Sequence, residues 1–409
     1  MTFFNDKIAN RLGGTSFGQT TEIYKFEIIK RAKARAKKKH PELELIDMGV
    51  GEPDWMADMQ VVLKLCEEAK KIENRWYADN GIVEFQEAAA RYLSKIYHVD
   101  LNPIENIVHG IGSKSILAML PICFINPGDI VLTTIPGYPV VATYARYLGG
   151  EIFNLPLYEH NQFLPDFKKI PNEILKKSKL LYINYPNNPT GAIATKEFFE
   201  ETVEFALKNN IIVINDAAYG ALTYGNNKPL SFLSIEGALE VGVEVHSLSK
   251  AFNMTGWRIG FLAGGELPIR AYATVKDNTD SGQFRAIQKA AIYALEHPEI
   301  TEKTRAKYSR RLDLLVSALK EIGFDIKKPG GSFFCYVKSP KGIQNGMIFS
   351  TATQFSEYLI ENYLISTVPW DETGHYLRFS VTFEAQNEDD EIKVISEMKK
   401  RLKKLDLIF

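Results

Sequence analysis

VEVHSLSKAFNMTGWRIG, residues 243–260, begins as a short apolar run and turns abruptly polar. The run is rich in β-branched residues and bounded by serine, which reads as a buried strand ending at the rim of a sheet. Lys250 follows almost at once, and Arg258 comes eight residues later. A surface lysine in a loop is the ordinary explanation. The chemical alternative is that Lys250 is a reactive amine and that Arg258 holds an anionic group beside it. Burial and a neighbouring cation both depress a lysine pKa and leave the amine nucleophilic. Ser247, Ser249 and Arg258 together suit a phosphate dianion, through hydroxyl donors and a guanidinium fork.

The same kind of run recurs upstream. ENIVHG, GDIVLTTI, KLLYINYP and NIIVINDA are short, β-branched and bounded by Gly, Pro, Asn or Ser. Helical segments lie between them, such as SKSILAMLPICFI (113–125) and KEFFEETVEFALKNN (196–210). Strands alternating with helices predict an open, doubly wound α/β sheet. From about residue 290 the pattern changes to long charged helices, the strand-like GSFFCYVK and YLRFSVTF, and a closing amphipathic helix, an α+β arrangement. The chain is therefore divided into an N-terminal arm with part of a small domain (1–55), a large domain (56–290) and a small C-terminal domain (291–409).

Ligands of open α/β sheets sit at the carboxyl ends of the strands, so the residues just after each strand carry the information. After NIVHG, a glycine turn opens a helix at Ser113, whose amides suit a phosphate. After IVLTTI, PGYP places Tyr138 where an aromatic stacks on a flat ring. After LLYINY, PNNPTG offers the Asn188 amide to a ring oxygen. After IIVIN, Asp216 is an acid at the end of an apolar strand, where only a permanent positive partner removes the cost of its charge. Tyr219 follows within reach. Taken singly, these are a cap, a core tyrosine, a turn and a strand end. Taken together they describe one ligand with a phosphate, a phenolic oxygen, a ring nitrogen and an aldehyde, which is pyridoxal phosphate.

Composition removes other classes. The 409 residues are 45% hydrophobic and 24% charged with a net charge of −1, which excludes a global pull toward nucleic acid or an acidic membrane surface. The basic run KRAKARAKKK (30–39) fits the solvated face of a helix. Cys66, Cys123 and Cys335 are widely separated without metal-ligand spacing, as in a reduced, cytoplasmic protein that needs no metal. MTFFNDKIANRLGG lacks the apolar core of a secretory signal, and LAMLPICFI (117–125) is too short to span a bilayer.

SLSKAFNMTGWRIG, YPNNPTG and INDAAYG resemble the cofactor motifs of class I/II (fold type I) aminotransferases, and the likeness runs from MGVGEP (48–53) to YLRFSVT (376–382). That resemblance implies the fold type I architecture of pyridoxal-phosphate-dependent transferases. In it a large domain with a mainly parallel sheet, sandwiched by helices, adjoins a smaller α+β domain. It also implies roles. Lys250 carries the cofactor aldehyde, Asp216 pairs with the ring nitrogen, and Tyr219 and Asn188 bind the ring oxygen; Lys250, Asp216 and Tyr219 form the catalytic set. Tyr138 stacks on the ring, while Ser247, Ser249, Arg258 and the Ser113–Lys114 amides hold the phosphate. Arg378 grips the substrate α-carboxylate with the Gly51 backbone assisting. Tyr77, in RWYADNG, matches the tyrosine that these dimers lend to the neighbouring phosphate, so a homodimer with shared sites is implied.

Within the superfamily, SLSKAFNMTGWRIGF, DNTDSGQFRAIQKAA (277–291), and IYKFEI followed by HPELELIDMGVGEP are similar to the LL-diaminopimelate aminotransferases. Lys114 and Tyr24 then contact substrate, with 2-oxoglutarate as the second substrate. The chain departs from that family at Asp79, where a glutamate is usual, in the segment that reads the far end of the substrate. Alanine, aspartate and aromatic aminotransferases and a cystathionine-lyase-like enzyme remain alternatives, and a non-catalytic binding module is a third class.

Overall fold

The computed structural model describes residues 3–4, 6–18 and 25–409, without the side chains of residues 25–27. Tyr24 lies outside the described residues. Seven strands form the central sheet: β1 (Ile107–Gly110), β2 (Ile130–Ile135), β3 (Glu151–Pro156), β4 (Ser178–Asn184), β5 (Ile212–Asp216), β6 (Gly242–Ser247) and β7 (Gly260–Gly264). Their spatial order is β1-β7-β6-β5-β4-β2-β3. The sheet is mainly parallel, with β7 antiparallel to both of its neighbours.

Both faces of this sheet are covered, which is why its strands read as nearly continuous apolar runs. Val131, Leu180, Tyr182, Ile214, Val245 and Leu262 pack on one side with Ile116, Leu117 and Leu120 of the helix Ser113–Phe124. Leu132, Leu181, Ile183, Val213 and Phe261 face the other way, toward Phe85 and Leu93 of the helix Val83–Tyr97 and Phe199 and Val203 of the helix Lys196–Asn209. The last of these helices starts on a cap, Thr195 Oγ accepting from Phe198 N at 3.2 Å, and stops at Asn210 in the left-handed region (φ 54°).

Two strands are absent from the sequence reading. β3 is an edge strand in which only Leu155 is buried, so it lacks the continuous buried run of the inner strands. β7, GFLAG, is short and begins and ends in glycine. It runs antiparallel because the segment between β6 and β7 returns directly, without the helical crossover that a parallel neighbour requires.

A second, antiparallel sheet joins Phe334–Lys338, Val368–Trp370 and Tyr376–Ser380, with the last strand in the middle. The N-terminal segment enters this region through Ile46–Asp47, which pairs in parallel with Ile365–Ser366. The helices Glu299–Ile322 and Glu388–Leu402 pack against one another beside it. Among the described residues no helix is long and apolar enough to cross a membrane. None of the described His, Cys, Asp and Glu residues form a group that could hold a metal ion.

Candidate active site

Side chains alternate along β5, so Ile212, Ile214 and Asp216 share the face that packs on the helix Ser113–Phe124. Asp216 ends that row and is buried. Its Oδ1 accepts from Ala218 N at 3.1 Å and its Oδ2 from Tyr182 Oη at 3.2 Å. Burial pushes its pKa up to about 6, with those two donors opposing the rise. No described cation forms an ion pair with it.

Asn184 closes β4 beside Asp216. Its Nδ2 donates to the Asp216 carbonyl at 2.7 Å, and its Oδ1 accepts from Asn188 N at 2.9 Å. Asn184 thereby sets the position of Asn188, whose Oδ1 accepts from Arg378 Nη1 at 2.8 Å. The expected donor to a ring oxygen is thus also a partner of the expected carboxylate grip. Its Nδ2 has no partner among the described residues. Tyr182 and Asn184 escaped the sequence reading; the polar residues in the otherwise apolar LLYIN were the available signal.

Arg378 is buried in the middle strand of the second sheet. Its Nη2 donates to Gly49 O at 2.9 Å, and its guanidinium carbon lies 4.0 Å from the Phe334 ring centroid. Nε is buried without a partner, and no described carboxylate pairs with the group. Burial lowers its pKa to about 10, a sign that the site disfavours the charge it carries.

Lys250 Nζ donates to Gly51 O at 2.8 Å. Its pKa falls to about 8, chiefly through burial; Glu52 opposes the fall, and Arg258 and Arg378 reinforce it. Gly49 and Gly51 therefore present two carbonyls, one to each cation, from a single turn of the N-terminal segment. Gly51 also needs to be small, since a Cβ there would come within 3.3 Å of the Phe334 ring.

The residues expected to hold a phosphate, Ser113, Ser247, Ser249 and Arg258, lie on the segments at the ends of β1 and β6. Ser247 Oγ accepts from Ser249 N at 3.1 Å, and Arg258 Nη1 donates to Thr255 O at 2.7 Å and lies 3.5 Å from Ser249 Oγ. Gly112, with φ 74°, precedes the helix Ser113–Phe124, and a Cβ there would collide with the Arg258 guanidinium. The missing side chain lets the guanidinium lie directly against the helix start, where the amides of the first turn point outward. Arg258 itself has φ 55°, a backbone state that bulky residues rarely adopt.

Tyr219 is buried against the edges of Phe333 and Phe334, at 5.3 and 5.7 Å between centroids, and burial raises its pKa. Tyr138 is half-buried and close enough to Tyr182 and Tyr219 to influence both. Lys114 is exposed. Tyr77 and Asp79 are exposed and are tied down by their carbonyls, to Arg285 at 2.7 Å and to Lys276. Their side chains make no hydrogen bond to the Lys250–Arg258 group among the described residues. A cavity of about 460 Å³ lined by Phe153, Tyr158, His160 and Lys169 lies beside the edge strand β3 and is lined by none of Asp216, Asn188, Lys250, Arg258 and Arg378.

A fold type I α/β sheet whose strand ends gather a buried amine, a buried acid and two buried or half-buried guanidiniums defines the class of protein. Residues 44–397 match the family described as aminotransferase class I and II, and the chain belongs to that family. It is an aminotransferase. It is 58% identical over 417 aligned positions to the LL-diaminopimelate aminotransferase of Methanocaldococcus jannaschii, covering 100% of this chain and 99% of that one. It is 55% identical to the LL-diaminopimelate aminotransferase of Methanococcus maripaludis, with the same coverage. Among solved structures, substrate-bound BacF from Bacillus subtilis superposes with a TM-score of 0.86 at 34% identity, over 96% of this chain and 97% of that one. A probable N-succinyldiaminopimelate aminotransferase from Thermus thermophilus gives 0.84 at 27% identity, over 93% and 100%.

Proposed function

We propose that this aminotransferase moves an amino group from LL-2,6-diaminopimelate to 2-oxoglutarate, in either direction, with pyridoxal phosphate as its cofactor. The substrate assignment rests on the full-length relatives at 58% and 55% identity, both LL-diaminopimelate aminotransferases. The cofactor assignment rests on one feature of the site: Lys250, Arg258 and Arg378 have no carboxylate partner among the described residues. Asp216, likewise, has no cation.

The donor set fits the cofactor at each of its functional groups. Arg258, Ser247, Ser249 and the helix start beyond Gly112 offer donors to a phosphate. Asp216 meets a ring nitrogen, Asn188 Nδ2 and Tyr219 a ring oxygen, Tyr138 a ring face, and Lys250 an aldehyde. When bound, pyridoxal phosphate supplies an electron sink conjugated to the substrate nitrogen. Lys250 removes the proton from the substrate Cα, and a pKa of about 8 leaves a useful fraction unprotonated near neutral pH. Asp216, next to a ring cation, returns to its ionised form and keeps that nitrogen protonated. Arg378 holds the α-carboxylate and aims the Cα–H bond toward Lys250. Asn188 and Gly49 fix the guanidinium from its far side, and the orphaned Nε is released from its penalty by an arriving anion.

The far end of a substrate with two amino-acid ends meets Tyr24, Asp79 and Lys114. Exposed Tyr77 reaches the phosphate of a second copy, so the working unit is a cytoplasmic homodimer. A coupled assay with 2-oxoglutarate and LL-diaminopimelate, set against alanine, aspartate, phenylalanine and cystathionine, tests the assignment. Turnover of LL-diaminopimelate at least ~10-fold above the others supports it. Equal or better use of a single-ended amino acid replaces it with another aminotransferase. Pyruvate and ammonia from cystathionine would replace it with a lyase.

A further inference from the structure

The segment DNTDSGQFRAIQKAA (277–291) contributed to the sequence likeness but carried no chemical role. It lies between the helices Glu266–Asp277 and Arg285–Glu296 and faces two ways. Toward residues 77–84 it is a brace. Asp277 Oδ1 accepts from Asn80 Nδ2 at 2.7 Å, Arg285 Nη2 donates to Tyr77 O at 2.7 Å, and Gln288 Oε1 accepts from Ile82 N at 2.9 Å. Asp280 Oδ1 accepts from Gly282 N at 2.7 Å, and buried Lys276 bridges Asp280 to the Asp79 carbonyl. Gly282 has φ 78°, and a Cβ there would fall 2.6 Å from the backbone of Ala78. These contacts leave the Gln283 backbone little freedom; Gln288 Nε2 also donates to its carbonyl at 2.9 Å.

In the other direction, the Gln283 side chain reaches the anion site. Its Nε2 donates to Trp257 O and to Arg258 O, both at 2.8 Å. Its Oε1 lies 3.0 Å from His109 Nε2. Because the amide nitrogen is committed to two carbonyls, Oε1 must accept, so His109 carries its proton on Nε2. That agrees with a neutral ring, burial having lowered its pKa to about 4, and with a buried Nδ1 that has no partner. One amide thus bridges two successive carbonyls at the residue whose backbone is left-handed. The guanidinium of that residue lies over Gly112 at the helix start.

We propose that Gln283 is a positioning residue for the anion grip: it holds the Trp257–Arg258 backbone in the conformation that seats the Arg258 guanidinium against the first turn of the helix Ser113–Phe124. The inference rests on the pyridoxal phosphate reading, which the experiment checks separately. Apoprotein is titrated with pyridoxal phosphate and, in parallel, with pyridoxal, which has the aldehyde but no phosphate. Thermal unfolding is followed for each variant. Wild type that binds neither compound overturns the cofactor reading itself. With that reading intact, Gln283→Leu weakens pyridoxal phosphate about tenfold, the loss expected for unpaired buried carbonyls, and leaves pyridoxal affinity within about twofold. His109→Phe keeps an aromatic ring, though a larger one, but removes the donor to Oε1, and shifts pyridoxal phosphate in the same direction by about threefold. An equal loss for both compounds, or no loss for either, overturns the proposal. So does a loss in Gln283→Leu that follows the fall in melting temperature across both variants.

Discussion

The molecule contains two groups of buried and half-buried cations, and they are built on different rules. In one, Lys307 and Arg311 of the helix Glu299–Ile322 meet Asp54 at 2.6 and 2.9 Å, and Arg311 and Arg310 meet Glu391 at 2.8 Å. Arg311 adds bonds to the carbonyls of Val381 and Phe383 at 3.0 and 2.8 Å. In the other, Lys250, Arg258 and Arg378 hydrogen-bond to carbonyls and hydroxyls and form no ion pair among the described residues, although Glu52 and Asp216 act on Lys250 from a distance. A buried charge is tolerated when it is paired and fully hydrogen-bonded, and is costly otherwise. The first group therefore has its anions within the chain, although burial still lowers the Lys307 pKa to about 8 against the pull of Asp54. On the proposed reading the second is completed from outside, by a phosphate, a carboxylate and a carbonyl carbon.

The two groups also touch the same turn. Asp54 anchors the segment whose Gly51 and Gly49 carbonyls receive Lys250 and Arg378. The satisfied cluster thus holds in place the backbone that serves the unsatisfied one, which links structural stability to the geometry of the chemistry.

This contrast can be broken at several points. The largest expected effect is on Lys250. Lys250→Ala lowers turnover at least ~10⁴-fold and abolishes the visible absorbance of bound cofactor, measured on the purified enzyme. Normal turnover in that variant would remove Lys250 from the chemistry. Next is Arg311→Met, which leaves Asp54 with Lys307 alone and Glu391 with Arg310 alone and unpairs the Val381 and Phe383 carbonyls. It costs about 3–5 kcal/mol of stability in denaturant titration, whether or not a ligand is present. Arg378→Met provides the opposite case. Its apoprotein stays within about 1 kcal/mol of wild type or gains stability, since no buried anion is left behind, yet kcat/KM for amino acids falls about 10²-fold or more. A stability loss in Arg378→Met as large as that in Arg311→Met would mean that its bonds to Asn188 and Gly49 stabilise the fold as strongly as the ion pairs of Arg311 do.

The smallest effect is a pH dependence. Asp216 has its folded pKa raised to about 6, above the usual carboxylate value, so the folded apoprotein binds its proton more tightly than the unfolded chain does. That stabilisation is complete at low pH and is lost as pH rises through about 6. His109, with its folded pKa lowered to about 4, gives the opposite trend in this range, so the loss is read as the difference between wild-type and Asp216→Asn melting curves, and bound pyridoxal phosphate should suppress that difference by ionising the acid. Wild-type and Asp216→Asn profiles of the same shape would mean that Asp216 is ionised without any ligand.

Much of the site could be read from the chain because its residues follow strands directly. Asp216, Lys250 and Ser113 each lie within a few positions of a strand end, and a sheet delivers such residues to one rim whatever the loops do. Arg378 stood in a strand-like run, YLRFS, and became interpretable through the family likeness. Tyr182, Asn184 and Gln283 were missed because their roles lie in hydrogen bonds to other strands or loops. The carbonyls of Gly49 and Gly51 are invisible to any reading of side chains. β3 and β7 lacked the buried, β-branched pattern that identified the other strands.

By itself the sequence determined the α/β sheet and the set of groups at its rim, and it suggested the ligand chemistry proposed for them, because strand periodicity and residue type are local properties. Only the tertiary structure decided which buried cations have anions. Asp54 and Glu391 reach Arg311 across 257 and 80 positions of chain, while the anions for Lys250, Arg258 and Arg378 are not found among the described residues. Pairing depends on distance in space, which spacing in sequence does not encode. VEVHSLSKAFNMTGWRIG supplied a lysine and an arginine; the fold left them without counter-ions.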